Sequence, residues 1–154
     1  MMMKRKKLFL YVVIGLLVLI QFYPVSRPEV SHNNPDDLLK NVKVEVELSS
    51  LLRSTCYDCH SNETNYPWYA NIAPVKWLVY DDIREGREEL NFSEWNSLSK
   101  IDMAEKLDDI ATEVLEEEMP LKIYPLTHPD AKLTKADRES IAAWAEMLAE
   151  ELFE

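Results

Sequence analysis

Glycine is almost missing from this chain, with two in 154 residues. A β-fold rich in tight turns needs many more, so the shortage points away from hairpins and towards helices. Cysteine and histidine are nearly as scarce, with two Cys and three His (His32, His60 and His128). Positive charge is in deficit: 17 Lys and Arg stand against 28 Asp and Glu, for a net charge of −11. Lys4, Arg5, Lys6 and Lys7 place +4 on the first seven residues, so residues 8–154 carry −15. A body of that sign argues against nucleic acid as a partner, because phosphates are held by Lys and Arg. It suits a basic protein partner or simple solubility. There is no internal repeat and no low-complexity tract. Aromatic residues are plentiful, with four Trp, seven Tyr and four Phe, which excludes a disordered acidic chain.

One long apolar run is present. Residues 8–23, LFLYVVIGLLVLIQFY, follow the basic cluster. Sixteen residues reach roughly 24 Å as a helix, short of the ~30 Å hydrocarbon core, and Lys6 and Lys7 can snorkel to extend the reach. No small-x-small cleavage site follows Tyr23, so the run reads as an uncleaved signal anchor and not as a removable signal peptide. Residues 1–23 are therefore expected to form a single transmembrane helix in the inner (cytoplasmic) membrane. The basic end stays inside and the rest of the chain lies in the periplasm. Residues 24–44, with Pro24, Pro28 and Pro35, read as an extended linker, and residues 45–154 as one domain.

Within the domain, Val42, Val44, Val46 and Leu48 alternate with charged residues, which is strand periodicity without a visible partner strand. From Leu48 the period changes. Leu48, Leu51, Leu52, Thr55 and Cys59 fall on one helical face, giving a helix over 48–59. Residues 61–74 are a loop rich in Asn, Pro and aromatics. Pro74 opens a second helix with a stripe of Val75, Val79, Ile83, Gly86 and Leu90, where Gly86 implies a close approach by a neighbouring backbone or a cofactor edge. Ser99 with Asp102 starts a third helix, striped by Met103, Ala104, Leu107, Ile110, Ala111 and Val114. Three acids and Pro120 end it, leaving Met119 on a loop. Thr134 with Asp137 caps a last helix that faces inward through Ile141, Ala142, Trp144, Ala145, Leu148 and Leu152.

The two cysteines fall in Cys56-Tyr57-Asp58-Cys59-His60, which reads C-x-x-C-H. This is the attachment pattern of a c-type haem: two thiols three apart add to the two vinyl groups of one porphyrin, and the histidine becomes an axial iron ligand. A structural zinc site needs about four N or S ligands, and only His32 and His128 remain to complete one. A thioredoxin-like pair wants a βαβ setting that this chain does not offer. A Cys56–Cys59 disulfide stays open in an oxidising compartment. For the sixth ligand, Met103 lies on a core stripe and Met147 off the main face of its helix. Met119 and His128 therefore remain as rivals, and a thioether partner would raise the reduction potential. The second ring nitrogen of His60 needs an acceptor, expected from a loop carbonyl at Pro67 or Pro74. Trp68, Tyr69, Trp77 and Tyr124 are candidates to wall a haem, and Arg84 and Arg87 to meet its propionates; ordinary core aromatics and solvated charges explain them equally well.

The stretch Cys56–Asn62, then Asn65-Tyr66-Pro67-Trp68-Tyr69, Asn71-Ile72-Ala73-Pro74, Asn91-Phe92-Ser93-Glu94-Trp95, Met119-Pro120 and His128-Pro129-Asp130-Ala131-Lys132-Leu133-Thr134 with Trp144 resembles the haem-binding domain family of membrane-anchored bacterial monohaem cytochromes. The match covers about residues 45–149, with the motifs in order. The resemblance implies an all-α, cytochrome-c-like domain around one covalent haem c. It places attachment on Cys56 and Cys59 and axial iron ligation on His60, and it makes Met119 the first choice for the second axial position. The expected role is single-electron transfer to an unknown redox protein, with no catalytic residues. The other classes are a haem sensor or peroxidase-like protein with a displaceable sixth ligand, and a haem-free exported interaction domain.

Overall fold

Apolar stripes at helical spacing, with so little glycine between them, produce a chain in which every regular element is helical. The structure, a computed structural model, describes residues 2–154, and no strand occurs among them. The α-helices are α1 (Met2–Leu19), α2 (Leu38–Asn41), α3 (Val46–Thr55), α4 (Tyr57–His60), α5 (Val75–Glu89), α6 (Lys100–Leu115), α7 (Tyr124–Thr127) and α8 (Lys135–Glu151). Short 3-10 turns lie at Ile20–Phe22, Trp68–Asn71, Phe92–Ser97 and Pro129–Ala131.

The best-formed pair is α6 against α8. Both open with complete capping boxes. Ser99 and Thr134 accept from the backbone N–H groups of Asp102 and Asp137, whose carboxylates accept in return from the cap N–H groups. Their stripes meet in one core made of Leu107, Ile110, Ala111 and Val114 from α6 and Ile141, Ala142, Trp144, Ala145 and Leu148 from α8. Leu38 of α2, Leu52 of α3, Tyr57 of α4, Phe92 and Trp95 complete it. α3 also touches α8, but α6 is the main partner of that helix.

Three expectations change. The alternation at Val42–Leu48 does not make a strand: an unpaired strand leaves its backbone unsatisfied, and the chain enters α3 at Val46 instead. The helix expected over 48–59 breaks at Cys56 (φ −120°, ψ −40°) and restarts as α4. The segment 24–44 does not stand clear of the domain. Arg27 lies 3.8 Å over the Tyr66 ring, the Tyr66 hydroxyl donates to Pro28 O, Ser31 N donates to Asn62 O, and Leu38 is fully buried.

The single-pass span expected over residues 1–23 is also corrected; residue 1 lies outside the described residues. The first turns of α1 are spent on the basic cluster. The apolar part from Leu8 to Leu19 rises roughly 18 Å, and the turn Ile20–Phe22 adds roughly 6 Å. No helix among the described residues is long and apolar enough to cross a membrane.

Candidate functional site

The break at Cys56 sets the direction of both thiols. Cys56 packs against the main core, while Cys59 lies against α5. Both are free thiols. Burial pushes the Cys56 thiol up to about 11, against the pull of the Thr55 hydroxyl. Burial, with the carboxylates of Asp58 and Asp82, pushes Cys59 up to about 12. Redox-active and metal-binding cysteines need the opposite shift, because the thiolate is the reactive form. Nor do three or more His, Cys, Asp or Glu side chains gather as a metal cage among the described residues. The pair therefore has the character of half-buried thiols, raised above their ordinary pKa, one turn apart.

His60 closes α4 and turns onto the end of α5. Its Nδ1 lies 2.7 Å from Gly86 O and 3.2 Å from Leu90 O. Carbonyl oxygens only accept, so Nδ1 carries the proton and the lone pair sits on Nε2. The expected acceptor in the 61–74 loop is thus replaced by the last turn of α5. Burial holds the imidazole pKa below its ordinary value, against the opposing effect of the Leu90 and Gly86 carbonyls. A neutral ring with one nitrogen committed and the other free is the form that ligates a metal.

Gly86 makes this arrangement possible. A Cβ there would lie 3.0 Å from Cys59 O and 3.3 Å from Cys59 C and Cβ. The close approach expected at Gly86 is real, and what approaches is the backbone of the cysteine turn.

The segments at Asn65, Asn91–Ser93 and Tyr124 converge on that turn. The Phe92 ring stacks on Tyr57 at 5.1 Å and meets His60 edge-on at 6.4 Å. Asn62 N donates to Ser93 Oγ, and Asn91 Nδ2 donates to Asn62 Oδ1. Asp58, an inner residue of the C-x-x-C-H pattern, accepts from Tyr124 Oη (2.8 Å) and from Asn65 N (2.8 Å). Arg87 has three partners within the protein. It donates to Ser61 O, Glu29 O and Thr64 Oγ1, joining the linker to the loop after the histidine. Arg84 pairs with Asp81.

Met119 is half-buried at the edge of the main core. Its N–H donates to Glu113 O, and Arg138 Nη1 donates both to Met119 O (2.7 Å) and to Val114 O (2.8 Å). One guanidinium on α8 thus ties the methionine loop to the end of α6. Sequence reasoning passed over Arg138, because a cation on a helix normally reads as solvated. The rival ligand His128 has both nitrogens engaged: Nδ1 with Tyr124 O (3.1 Å), Nε2 near Tyr69 Oη (3.5 Å). Its ring stacks on Tyr124 at 4.0 Å. His128, Tyr69 and Tyr124 border a small cavity with Cys59, Val79 and Ile83; Trp68 is exposed and Trp77 packs against Tyr23.

The donor set fits a covalently held haem. It offers two neutral thiols one turn apart and an adjacent imidazole presenting Nε2. No curated protein and no solved structure matches the chain. The family model of the haem-binding domain matches residues 15–147. That match spans most of the chain and takes in every motif described above, so this protein belongs to the haem-binding domain family.

Proposed function

We propose that this protein is a monohaem c-type cytochrome that carries single electrons on the periplasmic side of a membrane. The observation that carries the reading is the Nδ1–Gly86 O bond of 2.7 Å on the histidine that directly follows the two free cysteines. When bound, haem supplies a one-electron iron couple. Cys56 and Cys59 would hold it through thioether bonds, each thiol S–H adding across one vinyl group. His60 Nε2 would take one axial position, and Met119 the other. Three features support this reading: both cysteines are free, the histidine tautomer is fixed by α5, and the Met119 carbonyl is held by Arg138. Ligands kept in both oxidation states make reorganisation small, as electron transfer requires. No catalytic residue is assigned, and an electron carrier is favoured over an enzyme.

The finer location rests on α1. Leu8, Phe9, Tyr11, Leu16 and Leu19 are each about half or more exposed, around the whole helix. So much apolar surface is unfavourable in water. Insertion of Leu8–Phe22 into the lipid of a membrane surface, short of a full crossing and with the basic cluster among the headgroups, relieves it. The redox partner remains a protein of unassigned identity, and a −15 body favours a basic one.

The test is a visible spectrum, oxidised and reduced, of protein matured with haem. A Soret band that survives acid-acetone extraction is expected, and its absence sinks the reading. A sensor or peroxidase-like role has one observation in its favour, a cavity of about 450 Å³ bordered by Asp58, Tyr124 and His128 next to the cysteine turn. Carbon monoxide binding to the ferrous protein would favour that role over electron transfer.

A further inference from the structure

The 3-10 turn Ile20–Phe22 that ends α1 does not hang free of the domain. Gln21 forms a two-bond clasp with the backbone of Ala73: its Oε1 accepts from Ala73 N (2.9 Å) and its Nε2 donates to Ala73 O (2.9 Å). Lys76 Nζ donates to Gln21 O (3.1 Å), and Tyr23 meets Trp77 edge-on at 5.6 Å. These contacts fix the loop before α5 and the first turns of α5 directly against the base of the apolar helix.

The surface held there is itself apolar. Trp68 is 76% exposed, Leu78 53%, Ile72 44% and Val75 41%. It is also the one long stretch of the domain cleared of acid. Residues 64–80 contain no Asp or Glu and a single Lys, in a chain where acids outnumber bases 28 to 17. Acids resume at Asp81 and Asp82, one turn further along α5. An exposed Trp, aliphatic neighbours, a lysine and no carboxylate are what the headgroup–acyl boundary of a bilayer accepts.

We propose that Trp68, Ile72, Val75 and Leu78 form a second membrane contact, which lays the domain on the lipid surface beside the inserted α1. The occupant is the bilayer, because the patch is continuous with the apolar helix. The inference rests on the reading of α1 as inserted. Its consequence is orientational. With the patch on lipid, the cysteine turn and the Met119 loop keep a fixed aspect to the membrane, so a redox partner must approach from a limited set of directions.

The test uses the full haem-loaded chain in vesicles of phosphatidylcholine and phosphatidylglycerol. A phospholipid with a diazirine on its acyl chain near the glycerol is included, and adducts after irradiation are mapped by mass spectrometry. Adducts are expected on residues 8–22 and on the 68–78 patch. In Ile72→Glu/Leu78→Glu the patch adducts should fall several-fold while those on 8–22 persist, with an unchanged Soret band reporting an intact fold. Labelling of 8–22 alone overturns this inference and leaves the anchor standing. No labelling of 8–22 removes the anchor and this inference together. Patch labelling that falls as the protein-to-lipid ratio rises means that a second copy covers the face, which overturns the lipid assignment.

Discussion

On the His60 side of the site, the ring nitrogen, the Cys59 backbone and the Ser61 carbonyl all rest on α5, through Gly86, Leu90 and Arg87. On the Met119 side, the chain is held by its own backbone bonds to the end of α6 and by one guanidinium from α8. The first arrangement is rigid by packing, since a backbone touches a backbone with no side chain between them. The second is held mainly by hydrogen bonds, with the Met119 side chain only half-buried against the edge of the core. Under the proposed ligation, His60 would be the fixed side and Met119 the tuning side, and this contrast ranks the consequences of mutation.

The largest effect should come from removing the attachment on the packed side. A domain of this size has a modest core, and haem would supply much of what is missing. Cys56→Ala/Cys59→Ala protein is expected to carry no covalent haem on a denaturing gel stained for haem, and to lack a cooperative thermal transition by circular dichroism. Native helix content with a sharp transition in that variant would show that the core closes without the group.

Gly86→Ala comes next. The new methyl gains about 1 kcal/mol in helix propensity but meets the Cys59 carbonyl at 3.0 Å. A backbone atom cannot swing aside, and overpacking costs about 1–3 kcal/mol. A net loss of up to about 2 kcal/mol in denaturant unfolding is expected, together with a shifted potential, because the Nδ1 acceptor moves with the helix. A stability gain would mean that α5 slides freely, and the contrast between the two sides would then fail.

On the Met119 side the effects should be spectroscopic before they are structural. Met119→Ala is expected to abolish the methionine-to-iron charge-transfer band of the ferric protein and to lower the potential. Because Met119 is only half-buried, its stability cost should be below the ~2–5 kcal/mol of a buried methionine. Arg138→Met, which keeps length and loses both bonds, should cost about 1.5 kcal/mol. It should shift the potential less than Met119→Ala does. An unchanged spectrum in Met119→Ala removes Met119 as ligand; an unchanged potential in Arg138→Met leaves Met119 in place and removes only the role of the guanidinium.

Much of this frame could be read from residue order. The stripes of α6 and α8, their caps at Ser99 and Thr134, and the close approach at Gly86 follow from local spacing and were all met in the structure. What escaped was non-local. The stripe Leu48–Cys59 has helical period throughout, yet the backbone breaks at Cys56. The turn after it is fastened through Asp58 to Tyr124, 66 positions away, and no window of sequence contains both. The acceptor for His60 is likewise 26 positions on, and a backbone carbonyl leaves no mark in side-chain pattern. Arg138 and Arg87 look like solvated helix cations until their carbonyl partners are brought in by the fold. The apolar run of residues 8–23 was legible as a helix, but its first turns carry the basic cluster, which shortens the part able to sit in lipid.

The smallest expected effect lies at the start of α8, one residue before Arg138. The Asp137 carboxylate accepts from the Thr134 hydroxyl (2.7 Å) and backbone N–H (2.8 Å), and these bonds hold its pKa below the ordinary 3.8. A carboxyl whose folded pKa is depressed binds its proton more weakly folded than unfolded. Its stabilising contribution is therefore present above the unfolded value and is lost as pH falls through the folded one. Asp137→Asn should flatten the acid limb of a melting-temperature profile below about pH 4, with little change at pH 7, because Asn still accepts through its carbonyl. If the Met119 side depends on the placement of Arg138, the same variant should also move the potential slightly at low pH while the His60-dependent Soret position stays fixed. A Soret shift that tracks the loss of the cap would mean that the two sides are mechanically one unit, and that α5 is not the independent support its packing indicates.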